Sequence, residues 1–66
     1  MKLIEFYDKR THKIFAINPE YVTSICEEEC KDWGNTGITV VGASGYHTFE
    51  IHVEQTLPVV AKLLQE

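Results

Sequence analysis

The chain has 66 residues, of which 44% are hydrophobic and 24% are charged, and its formal net charge at pH 7 is −4. This composition is typical of a globular protein and excludes a disordered chain. The negative charge repels phosphate backbones, which disfavours nucleic-acid binding as the main function. We therefore expect one folded domain that covers residues 1–66.

The sequence also predicts the compartment. No stretch approaches the roughly 20 apolar residues that a membrane helix needs, and the N-terminus has no apolar run of secretory length. The two cysteines, Cys26 and Cys30, are too few for the disulfide framework of a small secreted protein. We therefore expect a cytoplasmic protein with no membrane partner.

A first hairpin is predicted near the N-terminus. The segments Lys2–Tyr7 and Lys13–Ile17 are rich in aliphatic and aromatic residues, and Asn18-Pro19 ends the second of them. The polar residues Asp8–His12 between them predict a turn. Both strands carry apolar residues on both faces, so either the sheet curls into a small barrel or its second face meets a partner subunit.

The middle of the chain predicts a third strand and an irregular loop. The strand is Val22–Cys26, with Cys26 expected as a small buried thiol. The acidic run Glu27–Glu29 then carries the chain either out of the sheet or along an exposed edge. The loop that follows contains Trp33. A tryptophan in a loop either anchors an interface or folds back to cap the core, and the sequence leaves both readings open.

The C-terminal half predicts a second hairpin and then a helix. The strands are Gly37–Val41 and Tyr46–Val53, joined by a turn at Gly42–Gly45. Alternation along the second strand predicts an inward row of Phe49, Ile51 and Val53. The row on the opposite face is Thr48, Glu50 and His52. His47 falls on the apolar row. Thr56–Gln65 is predicted as a helix with Thr56 as its N-cap.

The apolar stripe of this helix is unusually wide. Four residues recur at helical spacing and form a core-facing row, namely Leu57, Val60, Ala61 and Leu64. Val59 and Leu63 widen the stripe to roughly 200°, whereas one core contact requires about 100°. A second surface must cover these two residues, and in so small a chain we expect another copy to supply it. Val59, Leu63 and Trp33 are therefore the candidate interface residues.

The element order predicts an α+β fold: a five-stranded antiparallel sheet or small open barrel, followed by one C-terminal helix. Cys26 and Cys30 have the C-x3-C spacing found in some zinc sites, and His47 and His52 could complete such a set. The two histidines face opposite sides of their strand, so two free thiols are favoured. The neighbouring glutamates disfavour the thiolate that a cysteine nucleophile needs. We expect no catalytic, cofactor-binding or metal-binding residues, and hence no enzyme.

These features predict a non-catalytic module that self-associates and acts through protein–protein interactions. The alternative is a regulator that binds nucleic acid through the basic residues of the first turn, Lys9, Arg10 and Lys13, with Tyr7 and His12 nearby.

From Lys13 onward the pattern resembles the FlbD-like family of small bacterial flagellar proteins. The points of likeness are Ile17-Asn18, Val22 and Ile25 before the acidic run, Gly37-Ile38-Thr39-Val40, Gly45, and Val53-Glu54 leading into an aliphatic helix. The resemblance implies a small, non-enzymatic protein of the bacterial cytoplasm that works through protein contacts. It implies no catalytic residues.

Overall fold

Five strands and one helix account for the regular structure. The computed structural model describes residues 2–42, 45 and 47–66. The strands are β1 (Ile4–Asp8), β2 (Lys13–Ile17), β3 (Val22–Glu27), β4 (Thr36–Val41) and β5 (Thr48–Val53), and helix α1 spans Leu57–Gln65. Short 3₁₀ turns at Pro19–Tyr21 and Lys31–Trp33 lie before and after β3. The predicted α+β class, with five strands followed by a C-terminal helix, is confirmed.

The strands form two antiparallel sheets, one of β1 and β2 and one in the order β3-β4-β5. The fold is therefore neither one continuous sheet nor a closed barrel. The two sheets meet where β1 ends beside β5. There the Lys9 amide donates to the His52 carbonyl at 2.7 Å, and the His52 amide donates to the Asp8 carboxylate at 2.8 Å. At this junction the Asp8 side chain accepts the hydrogen bond that a backbone carbonyl of a neighbouring strand would accept in a continuous sheet.

The core lies between the inner faces of the two sheets and α1. Its buried apolar residues are Phe6, Ile17, Ile38, Val40, Ile51, Val53 and Val60, and partly buried residues packed against them are Ile4, Phe15, Val22, Ile25, Leu63 and Leu64. Every strand and the helix contribute to this set. The hairpin of β1 and β2 is therefore attached to the rest of the fold by one of its faces.

The expected burial of Cys26 is wrong, because the side chain is exposed. A β-bulge between Val22 and Ser24 shifts the pairing of β3 with β4. An extra residue at a bulge reverses the alternation of the strand beyond it. Val22 and Ile25 consequently both face the core, while Cys26 lies on the outer face opposite Gly37.

Two expectations for β5 also need correction. Phe49 shares the inward row with Ile51 and Val53, but it lies at the open end of the sheet and is 40% exposed. Its ring is 6.0 Å from the ring of Phe15, so the two rings close that end only partly. His52 belongs to the outer row as expected, yet it is only 6% exposed because other side chains cover it.

The helix begins where the sequence predicts. Thr56 precedes it in an extended conformation, and its side chain makes no capping hydrogen bond, while Pro58 occupies the first turn. No helix formed by the described residues is long and apolar enough to cross a membrane. The predicted turn at Gly42–Gly45 includes Ala43 and Ser44, which lie outside the described residues, as does Tyr46. At its base the Gly42 amide donates to the His47 carbonyl at 2.6 Å.

Gly34 lies against the backbone at the end of β5. Its φ angle is +96°, and a Cβ atom there would lie 2.3 Å from the carbonyl oxygen of Val53. That oxygen accepts a hydrogen bond from the Asn35 amide at 2.8 Å, which holds the two segments together. Only glycine fits this position.

We predict that Gly34→Ala lowers the free energy of unfolding by about 2–5 kcal/mol, because it adds both left-handed strain and overpacking. Gly45→Ala is the matched control, since φ is +78° but no atom lies within 4 Å of the added Cβ. Gly45→Ala should lower the free energy of unfolding by only about 1–2 kcal/mol. Urea unfolding measures both values, and equal losses would contradict the steric explanation.

Candidate interaction surface

Asp8 fixes the position of the first hairpin. The side chain is 1% exposed and accepts hydrogen bonds at both oxygens. Oδ1 accepts from the His52 amide at 2.8 Å, and Oδ2 accepts from the amide and the hydroxyl of Thr11 at 3.2 and 2.5 Å. The carboxylate therefore closes the turn between β1 and β2 and holds the hairpin against β5.

The pKa of Asp8 reflects this environment. Burial alone raises the pKa of the carboxyl, but hydrogen bonds from the Thr11 side chain and from the amides of His52, Thr11 and Arg10 bring it below the ordinary value. The ionised form is thus favoured in the folded protein. It stabilises the fold above the pKa of the unfolded chain, and this contribution is lost as the pH falls through the lowered folded pKa.

With its inner face on the core, the hairpin presents an apolar outer face. We define the hairpin outer face as Leu3, Tyr7, Ile14 and Ala16. Ile14 is 68% exposed, Leu3 is 55% exposed and Tyr7 is 48% exposed. Tyr7 and Ile14 are direct cross-strand partners, and Ala16 pairs with Glu5. The exposed Glu5 lies on the same face, between Leu3 and Tyr7. Adjacent exposed apolar side chains such as Tyr7 and Ile14 often mark an interaction site.

The two helix residues of the predicted interface lie in different environments. Val59 is 47% exposed. Leu63 is partly buried and packs against the core, which makes it in part a structural residue. The helix therefore presents Val59 to solvent and does not expose the full second stripe that the sequence suggested.

Trp33 packs back onto the protein, but over a polar pair on the outer face of the second sheet and not over the hydrophobic core. Its ring lies 4.9 Å from the ring of His52, and the Arg10 guanidinium lies 5.9 Å from its centre. The indole nevertheless remains 39% exposed. Trp33 can therefore serve both as a cover for His52 and as part of a contact surface.

His52 and Glu28 form the pair beneath this tryptophan. The His52 Nδ1 donates to the Glu28 carboxylate, and both side chains are largely buried. The hydrogen bond from His52 lowers the pKa of Glu28. Burial of the carboxylate acts in the opposite direction, whereas a hydrogen bond from the Cys30 amide lowers the pKa further. Gly37 has no side chain. The space that a Cβ atom would occupy there is bordered by the side chains of Glu28, Glu50 and Cys26.

These polar groups do not assemble a metal site. Within 2–42, 45 and 47–66, no group of three or more histidine, cysteine or acidic side chains could hold a metal ion. The residues weighed for zinc are separated: His52 binds Glu28, His47 is exposed before β5, and Cys26 lies beside Gly37.

The basic turn is tied into the fold. Lys9 lies 4.0 Å from a carboxylate oxygen of Glu54, and the Tyr7 hydroxyl is hydrogen-bonded to His12 at 2.9 Å. Arg10 lies over Trp33. These contacts involve Lys9 and Arg10 but not Lys13, the third basic residue proposed for nucleic-acid binding.

Sequence reasoning missed Asp8, which it assigned to a solvated turn. The local signal was an aspartate at the start of a polar turn, because aspartate side chains commonly hydrogen-bond backbone groups of their own turn. The bond to His52 had no local signal, since 44 positions separate the two residues.

Comparisons of the chain with protein-family models, with curated proteins and with solved structures found no match. The resemblance to FlbD-like proteins therefore stays a prediction.

We predict that Asp8→Asn lowers the free energy of unfolding at pH 7 by about 1–3 kcal/mol, because an amide has one acceptor oxygen where the carboxylate uses two. The loss should shrink as the pH falls through the folded pKa of Asp8, since protonation removes the same contribution from the wild type. Urea unfolding across the acid range measures the difference.

The control is Asp32→Asn, which removes an exposed carboxylate from the loop and should change stability by less than about 0.5 kcal/mol. A difference between Asp8→Asn and the wild type that stays constant from neutral to acid pH would contradict the role of the ionised carboxylate.

Proposed function

We propose that this chain is a non-catalytic module that self-associates and functions through protein–protein contacts. The observation that carries the proposal is the hairpin outer face, a group of exposed apolar side chains on two paired strands. The sequence anticipated that one sheet surface would meet a partner. The outer face of the first hairpin fits that description.

The size of the chain favours a second copy as the occupant. A stable interface of standard size buries about 800 Å² on each partner, and the chain has 4663 Å² of accessible surface. About one sixth of that surface would therefore be covered. A small domain with few core residues has a low free energy of unfolding, so burial of this much surface in an interface would increase its stability by a large fraction.

Val59 and Trp33 are proposed as further contact residues. Both are apolar and partly exposed, and a rigid aromatic side chain loses little entropy on binding. Leu63 is partly buried and packs against the core. This assignment retains the three interface residues that the sequence indicated and adds the hairpin.

The proposal includes a cytoplasmic location and bacterial origin, as the family resemblance implies. Nucleic-acid binding is the weaker alternative. The net charge is −4, and the contacts of Lys9 and Arg10 with Glu54 and Trp33 compete with phosphate contacts. Binding to mixed RNA or DNA that weakens steeply with salt would favour the alternative.

We predict that sedimentation equilibrium finds a species larger than the 7.6 kDa chain. Ile14→Glu should weaken self-association at least about tenfold, or 1.4 kcal/mol, because the charge must be desolvated at the interface. Ile14 is largely solvent-exposed in the single chain, so its replacement should leave the fold intact.

Thr48→Glu is the matched control, since it adds the same charge at an exposed position of the other sheet. Val59→Glu tests the helix contribution more cleanly than a change at Leu63, which packs on the core. A wild-type protein that sediments as a monomer throughout the micromolar range would contradict the proposed function.

A further inference from the structure

Strands β2 and β3 differ in how their free edges are protected. β3 carries a bulge and ends in the acidic run that begins at Glu27, and α1 packs against it. Bulges and charges are the usual means by which proteins block pairing at a sheet edge. Both devices are present on β3.

β2 lacks these devices. Among the strands of the described residues it pairs with β1 alone, and its register with β1 is regular from Lys13 to Ile17. It contains no proline, and its single charge lies at its first residue. β1 is engaged at its end, where the Lys9 amide and the Asp8 side chain are bound to β5. β2 therefore offers a strand edge to another chain.

The sequence of β2 suits pairing with itself. An antiparallel pair of identical strands centred on Phe15 places each Ile14 opposite Ala16 of the second copy. A large side chain thus meets a small one, twice, on the outer face of the combined sheet. The resulting four-stranded sheet would place Tyr7 and Ile14 of one copy beside the Ala16 of the other, which joins the two hairpin outer faces.

The two ends of β2 also complement each other in charge. The turn before β2 contains Lys9, which lies near Glu54, and Arg10, which lies over Trp33. Lys13 follows at the first residue of β2 and adds a third positive charge at this end. Beyond its other end, an open groove of about 410 Å³ is lined by Glu20 and Glu66, with Lys2 as the single cation. Antiparallel pairing brings the basic end of each copy to the acidic end of the other, which favours this orientation.

We propose that two copies of the chain associate by antiparallel pairing of their β2 edges about a two-fold axis at Phe15. The inference rests on the proposed self-association and specifies its geometry. Such an interface is isologous, so it closes at the dimer and leaves no second open edge on β2. The strand edge supplies backbone hydrogen bonds, and the hairpin outer face supplies apolar contacts.

Disulfide cross-linking tests the register. In a background with Cys26→Ser and Cys30→Ser, the double variant Ile14→Cys with Ala16→Cys should form a covalent dimer under mild oxidation, because directly opposite residues are within disulfide reach. Either single variant should lose the covalent dimer. In a dimer of a single variant, each copy contributes one cysteine, and the two would lie diagonally across the strands, about 7–8 Å apart. That separation is too large for a disulfide.

A second measurement uses the unmodified protein. In an equal mixture of ¹³C-labelled and unlabelled chains, an isotope-filtered NOE experiment should show a contact between the methyl groups of Ile14 and Ala16 of different copies. This readout does not depend on whether the cysteine variants fold.

The outcomes separate the two proposals. A dimer that cross-links in the single variants, or lacks the Ile14–Ala16 contact, would overturn edge pairing and leave self-association standing. A chain that stays monomeric in sedimentation would overturn both. A dimer with the double-variant cross-link and the NOE supports both.

Discussion

The buried carboxylate of Asp8 is the interaction on which the arrangement of this fold depends. Without it, the hairpin of β1 and β2 would be held to the second sheet by core packing and by the single bond from Lys9 to His52. The three hydrogen bonds to Asp8 offset the cost of burying a charge. One of them, the bond from the His52 amide, holds the end of β1 beside β5, while β2 pairs with β1 alone among the described strands.

This constraint links the fold to the proposed function. Because β1 lies between β2 and β5, the inner face of the hairpin is covered by the core while its outer face and the edge of β2 are not. The apolar residues on that outer face, Leu3, Tyr7 and Ile14, are largely exposed in the single chain and lie outside its core. The proposed self-association would bury them, and it would add buried surface that a 66-residue chain is short of.

Much of this fold could be predicted from sequence, for physical reasons visible in particular residues. Strand β2 and helix α1 follow from local patterns, namely the β-branched and aromatic run at Lys13–Ile17 and the 3.6-residue period after Thr56. The sequence also indicated that both faces of the first hairpin are apolar. The bulge at Val22 and Ser24 was not predictable, because it is decided by pairing with β4, and it reversed the expected burial of Cys26.

The candidate surface was predicted only in part, since long-range contacts decide exposure. Val59 is exposed as the helical period suggested, but Leu63 is partly covered by the core. His52 was expected on an open face, and distant residues bury it: Trp33 covers its ring and Glu28 binds its nitrogen. The role of Asp8 likewise depends on a residue at the far end of the chain.

Amide hydrogen exchange along β2 tests the central claim, that this strand is completed by a second copy, most directly. The amides of β2 that are not bonded to β1 should exchange slowly at protein concentrations above the dissociation constant and rapidly below it, while the amides of β4 stay protected at both. Rapid exchange of those β2 amides at every concentration would contradict it.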